Sequence, residues 1–217
     1  MKIYQFTYNP FQENCFVLAD EQNNCVIVDP GCYEAHEELD FLNFFKENEL
    51  KPIALLNTHA HIDHIMGNQF VKSNFDIPYY LHEADLFLLD GAKQSAHLYG
   101  LHKYKESPQP DIFLHEGDQL KFGSIELEVI FTPGHAPGHV VFYNTENKVV
   151  VNGDVLFQGS YGRYDLPGGD FQTLKNSIIT KMFLLPDDTQ VLTGHGPATT
   201  IGIEKKQNPI LMGSEMN

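Results

Sequence analysis

The chain of 217 residues has no tryptophan and only three cysteines, Cys15, Cys25 and Cys32. Their spacing matches neither a zinc ribbon nor a CxxC redox pair. Cys15 and Cys25 lie in the apolar runs "NCFVLA" and "NCVIVD" and read as buried, reduced thiols, so a Cys15–Cys25 bridge is possible but unneeded. Basic residues are scarce: 14 Lys and Arg stand against 29 Asp and Glu, a formal net charge of −15. Such a surface repels phosphate backbones and anionic lipid, which argues against nucleic-acid and membrane partners. An anionic small substrate stays open, because bound cations can dominate the field inside one cleft. No apolar run approaches the ~20 residues of a membrane span. The opening "MKIYQFTYNPFQENC" lacks a basic region followed by an apolar stretch, so no signal peptide is expected and the cytoplasm is the expected location. Low-complexity segments and internal repeats are also missing.

What is present is an ordinary globular composition, which the length assigns to a single domain spanning residues 1–217. Short β-like runs, "KIYQFTY", "CFVLA" and "CVIVD", open the chain, with a polar turn at Asp20–Asn24 that predicts a hairpin. "YEAHEELDFLNFFKENEL" predicts a surface helix burying Leu39, Leu42 and Phe45. "PIALLN" predicts a buried strand, "DHIMGNQFVKSNF" one helix from near Asp63, "IPYYLH" a strand, and "EADLFLLDGA" a short helix closed by Gly91. Residues 91–118 read as a long loop with at most one helical turn. A hairpin through Gly123 and Ser124 follows, then strands "HVVFYN" and "KVVVNGD", a helix capped by Asp170, a last strand "TQVLTGHG" and a tail with one short helix at most. The order is β-rich, β/α, β-rich, β/α. Two sheets packed face to face between helical layers, an αββα sandwich, satisfy it.

The stretch "NTHAHIDH" holds His59, His61, Asp63 and His64 within six positions. A lone histidine at a strand end is usually a cap or a surface residue. Four such groups together repel when protonated and are costly when buried unpaired, and bound metal removes both problems. With no cysteine among them, the donors leave room for water rather than closing a structural zinc site. Three other hydrophobic strands break, through a small turn with glycine, into a single candidate ligand: "EVIFTPGH" at His135, "VVVNGD" at Asp154 and "QVLTGH" at His195. Taken singly, each is better explained by turn chemistry. All four deliver donors at strand carboxyl ends, the rim where sheets with helical crossovers bind ligands.

These motifs, "THAHIDH", "TPGHAPGH", "NGDVLFQGSYGRYD" and "TGHGPATTIGIEKKQNP", resemble the metallo-β-lactamase-fold hydrolases, and especially the short bacterial members of the glyoxalase II (hydroxyacylglutathione hydrolase) branch. The resemblance spans nearly the whole chain and implies the αββα fold read above. It implies two divalent metal ions, zinc first, with iron or manganese as alternatives. His59, His61 and His135 would hold one, and Asp63, His64 and His195 the other. Asp154 would bridge them. His139 would orient a ligand or line the site; Asp29 would support it or simply form a turn. The implied reaction is hydrolysis of a small-molecule thioester such as S-lactoylglutathione, by a hydroxide shared between the metals, with Asp63 and Asp154 in catalytic roles.

Full-length glyoxalase II enzymes carry an additional C-terminal helical domain that supplies basic residues for glutathione, whereas only residues 196–217 follow His195 here. Arg163, Lys93, Tyr99, His102, Lys103 and Tyr104 are the candidates to replace it. Three alternatives stay open: an iron-dependent persulfide dioxygenase using His59, His135 and Asp154; a lactonase, β-lactamase or other hydrolase of the same fold; and a metal-binding module without turnover. The usual persulfide dioxygenase motif has cysteine where this chain has His139. The sequence leaves the oligomeric state open.

Overall fold

The computed structural model describes residues 1–212. The first half builds one six-stranded sheet in the order β1-β2-β3-β4-β5-β6. β1 (Lys2–Tyr8), β2 (Glu13–Ala19) and β3 (Asn24–Val28) are antiparallel neighbours joined by tight turns. Helix α1 (Ala35–Glu47) crosses over to β4 (Lys51–Leu56), which runs parallel to β3. Helices α2 (Ile62–Ile65) and α3 (Asn68–Asn74) lead to β5 (Tyr79–His82), and α4 (Leu86–Leu98) leads to β6 (Ile112–Leu114), both strands again parallel.

The second half builds another six-stranded sheet from β7 (Gln119–Phe122), β8 (Ile125–Phe131), β9 (Val140–Asn144), β10 (Val149–Gly153), β13 (Gln190–Thr193) and β14 (Thr199–Thr200). The small hairpin β11 (Leu156–Phe157) and β12 (Ser160–Tyr161) and helix α5 (Phe171–Thr180) lie between β10 and β13, and α6 (Ile201–Gln207) follows β14. β10 pairs parallel with β13, and β8 runs the same way through antiparallel β9.

Strand alternation explains the layering. In β2, Cys15, Val17 and Ala19 enter a core shared with Phe41 and Phe45 of α1, Ile65, Val71 and Leu89. Phe16 and Leu18 of the same strand enter a second core, facing Leu127, Val129, Phe142 and Val151 of the other sheet. Val141, Val150 and Val191 face a third core with Leu174 and Ile178 of α5 and with Ile201. Three cores separate four layers, the expected αββα order. Slipping β2 by one residue would exchange its two faces, so its register is strongly specified. All three cysteines are buried free thiols. Among the described residues, no helix is long and apolar enough to cross a membrane.

Several local expectations change. On α1, Phe41 and Phe45 face the core, while Leu39 is 57% exposed. The single helix expected from Asp63 splits into α2 and α3 at Gly67, where the chain crosses Pro30 and Cys32 so closely that a Cβ would lie 2.5 Å from Cys32 Sγ. Gly91 sits inside α4, not at its end. That helix ends at Gly100 (φ 71°), with Gly100 N–H donating to His97 O and Leu101 N–H to Ala96 O, the Schellman arrangement. Residues 91–118 therefore contain the second half of α4 and strand β6 as well as loop. The tail adds a 3₁₀ turn, Pro209–Met212, to its one α-helix. Asp170 caps α5 as expected, accepting from Thr173 N–H at 2.7 Å.

Candidate metal centre

The expected donors arrive from the carboxyl ends of four strands. β4 runs into His59 and His61, and α2 then presents Asp63 and His64 from one turn. β8 leads to His135, β10 to Asp154 and β13 to His195. The seven side chains converge in two groups. His135 Nε2 lies 2.8 Å from His61 Nδ1 and 3.2 Å from His59 Nε2. In the second group, His195 Nε2 is 3.1 Å from Asp63 Oδ2, and His64 Nε2 is 3.8 Å from the same oxygen. Asp154 stands between them, with Oδ2 at 3.5 Å from both His135 Nε2 and His195 Nε2, and Oδ1 at 3.5 Å from His64 Nε2.

Surrounding groups fix which nitrogen faces inward. His135 Nδ1–H donates to Arg163 O at 2.7 Å, and His195 Nδ1–H donates to Phe11 O at 3.1 Å, leaving Nε2 of each toward the centre. His64 Nδ1–H donates to Asp29 Oδ2 at 3.1 Å. Asp29 also accepts from Thr58 N–H at 2.7 Å, Thr58 Oγ1–H at 2.6 Å and Asn57 Nδ2–H at 3.1 Å, tying the end of β3 to the start of the histidine segment. Its backbone has φ 50°, so Asp29 forms a turn and braces His64 at once. His139 points its Nε2 at the Asp154 backbone N–H, 3.1 Å away, and stacks on His59 at 4.6 Å. It orients neighbours and offers no nitrogen to the centre.

Burial keeps the His59 ring well below the usual imidazole range and lowers His61 to about 3, so both offer neutral lone pairs. At Asp154 burial acts against ionisation, but the rings of His64 and His195 overcome it and hold the carboxyl well below its usual range. Burial likewise opposes a charged His195, yet Asp154 and Asp63 lift it to about 9. Against the same burial, these carboxylates keep His64 well above the usual imidazole range, so His59 and His61 are neutral donors as they stand, while His64 and His195 would give up a proton to a bound divalent cation. Buried atoms without a hydrogen-bond partner sit where such an ion would be held: His64 Nε2 and Asp154 Oδ1. The residues present therefore fit a pair of cations.

Two residues that the sequence reading missed sit behind this centre. Asp85, fully buried, accepts from Ala60 N–H at 2.8 Å and Gly138 N–H at 2.6 Å, clamping the histidine segment to the loop before His139. Burial pushes its carboxyl up to about 6. Glu13, also fully buried, bridges to His195 through the backbone, and burial pushes its carboxyl well above the usual range. Neither carries a motif; their positions follow from contacts distant in sequence.

The centre lines a cavity of about 750 Å³, to which His61, Asp63, His135, Asp154 and His195 contribute together with Phe11, Leu88, Tyr99, Phe157, Arg163 and others. Of the residues considered for substrate contact, Tyr99 and Arg163 line it. Lys93 and His102 do not: α4 turns Lys93 outward to an ion pair with Glu106, and His102 lies exposed beyond the end of that helix. Lys103 pairs with Glu34 at the surface, and the Tyr104 hydroxyl accepts from Ser107 N–H at 3.2 Å away from the cavity.

The family model described as "Metallo-beta-lactamase superfamily" matches residues 8–195. The probable metallo-hydrolase YqgX of Bacillus subtilis is 42% identical over 216 residues, covering 98% of this chain and 99% of the relative. The hydroxyacylglutathione hydrolase GloC of Haemophilus influenzae is 38% identical over 218 residues, covering 97% of this chain and 98% of the relative. Among solved structures, the BLEG-1 B3 metallo-beta-lactamase superposes with a TM-score of 0.89 at 40% identity, covering 98% of this chain and all of that one (100%). TTHA1623 in a di-iron-bound form superposes with a TM-score of 0.85 at 42% identity, covering 95% and 98%.

Proposed function

From the premise that the chain belongs to the metallo-beta-lactamase superfamily, we propose that it is a metal-dependent hydrolase that cleaves an acyl thioester. The observation that carries this reading is the place of Asp154, whose Oδ2 lies 3.5 Å from both His135 of one donor group and His195 of the other, with Oδ1 3.5 Å from His64. In this reading His59, His61 and His135 would hold one cation and Asp63, His64 and His195 a second, with Asp154 placed between the two groups. Zinc, iron or manganese suits these nitrogen and oxygen donors, and the iron in TTHA1623 supports keeping iron beside zinc. Bound there, such a pair supplies Lewis acidity toward a carbonyl oxygen and a water nucleophile near neutral pH.

The chain's own side chains do the rest. Asp29, Thr58 and the Arg163 carbonyl hold the imidazoles in the required tautomers. The Asp63 carboxylate faces the cavity, where it can orient the attacking water and accept its proton. The three cysteines are buried away from the cavity, so the reading uses no thiol nucleophile. The likeness to GloC supports a thioester as the bond cleaved. The likeness to BLEG-1 supports a second reading, β-lactam hydrolysis.

Kinetics on a panel of thioesters and β-lactams test this. Metal-loaded protein should turn over a thioester, and His61→Ala and Asp154→Ala should each lower metal content and reduce kcat/KM at least ~10²-fold. Wild-type rates and metal content in His61→Ala would contradict the assignment. Turnover of β-lactams alone would establish the second reading.

A further inference from the structure

The cavity at the centre is lined by two unlike sets of side chains. Beyond the donors, its wall is made by Phe11, Leu88, Leu98, Tyr99, Phe157 and Leu166. Leu88, Ser95 and Leu98 recur at i, i+7 and i+10, one stripe of α4. Phe11 sets its ring edge against Tyr99 at 5.3 Å. Leu98 is 76% and Tyr99 52% exposed, large apolar surface turned to the mouth of the site.

Positive charge on this wall is spent locally. Among the described residues lining the cavity, Arg163 is the only Lys or Arg. Its guanidinium is already held in a two-pronged pair with Asp165, Nε to Oδ1 at 2.8 Å and Nη2 to Oδ2 at 2.8 Å. A chain with net charge −15 also repels an anion on approach. A glutathione arm carries two carboxylates, and this wall offers them no unpaired guanidinium or ammonium. An apolar arm, by contrast, would cover exposed leucine and aromatic surface.

We propose that this chain hydrolyses thioesters whose arm along α4 is apolar and uncharged, in place of a carboxylate-bearing peptide arm. The inference rests on the thioesterase reading and narrows its substrate class. In the step, water adds to the acyl carbon and the C–S bond breaks. The products are a carboxylic acid and a thiol, with the water's protons shared between the carboxyl group and the departing sulfur. No oxidant or reductant is needed.

The test compares two thioesters of lactic acid on the metal-loaded full chain, one with glutathione and one with benzyl mercaptan, each normalised to its rate with hydroxide alone. The expected kcat/KM is about tenfold higher for the benzyl thioester, in the range one apolar group contributes in a pocket. Leu98→Glu should erase that preference mainly through KM. Asp165→Asn, which releases Arg163, should raise kcat/KM for the glutathione thioester several-fold. A glutathione thioester turned over as fast as the benzyl one, or faster, would overturn the inference and leave the thioesterase reading standing. Turnover of neither, with β-lactams hydrolysed, would overturn both.

Discussion

Asp29 shows how much one carboxylate can organise. It takes hydrogen bonds from the Thr58 backbone and hydroxyl, from Asn57 and from His64 Nδ1, and its backbone lies at φ 50°. Asparagine adopts that φ readily, so Asp29→Asn keeps the turn while replacing one acceptor with a donor that opposes Thr58 or His64. We expect metal affinity to fall ~10–100-fold, measured by competition with a chromophoric chelator. Unchanged affinity would leave Asp29 as turn chemistry alone. At this scale the donors were legible because each donor segment follows a hydrophobic strand. Asp85 was not, because its purpose depends on the Ala60 and Gly138 amides, which only the folded chain brings near. Lys93 and His102 looked suitable by charge and by loop position. The continuation of α4 through Gly91 removes Lys93 from the cavity.

Helix α4 carries the clearest lesson about elements. Glycine reads as a helix end, yet only Gly100, at φ 71°, supplies the left-handed turn that ends α4. Gly91 has ordinary helical surroundings, and a Cβ there would meet nothing within 4 Å. Gly91→Ala should therefore stabilise the protein by roughly 0.5–1 kcal/mol, seen as a higher denaturant midpoint with unchanged slope. A lower midpoint would show that the helix needs glycine at that point. Strands were legible through β-branched and aromatic runs between turn residues. The break between α2 and α3 was not, because its cause is the close pass of Gly67 over Pro30 and Cys32, far apart in sequence. The exposure of Leu39 had the same kind of origin: apolar residues cover more than one face of α1, and packing selects Phe41 and Phe45.

At the scale of the molecule, the alternation of strand and helix suggested four layers and the motif resemblance implied the same, while the order of strands within each sheet came only from long-range pairing. That pairing has a functional consequence. One sheet delivers His59, His61, Asp63 and His64, and the other delivers His135, Asp154 and His195, so the centre forms where the two sheets meet. A carboxylate of one half lies between imidazoles of both. The most direct measurement is the number of divalent ions bound per chain when metal-depleted protein is dialysed against zinc or ferrous iron and analysed for metal. Two per chain is the expected result, falling to one or fewer in Asp154→Ala. A single ion in the wild type, or none, would contradict a paired centre.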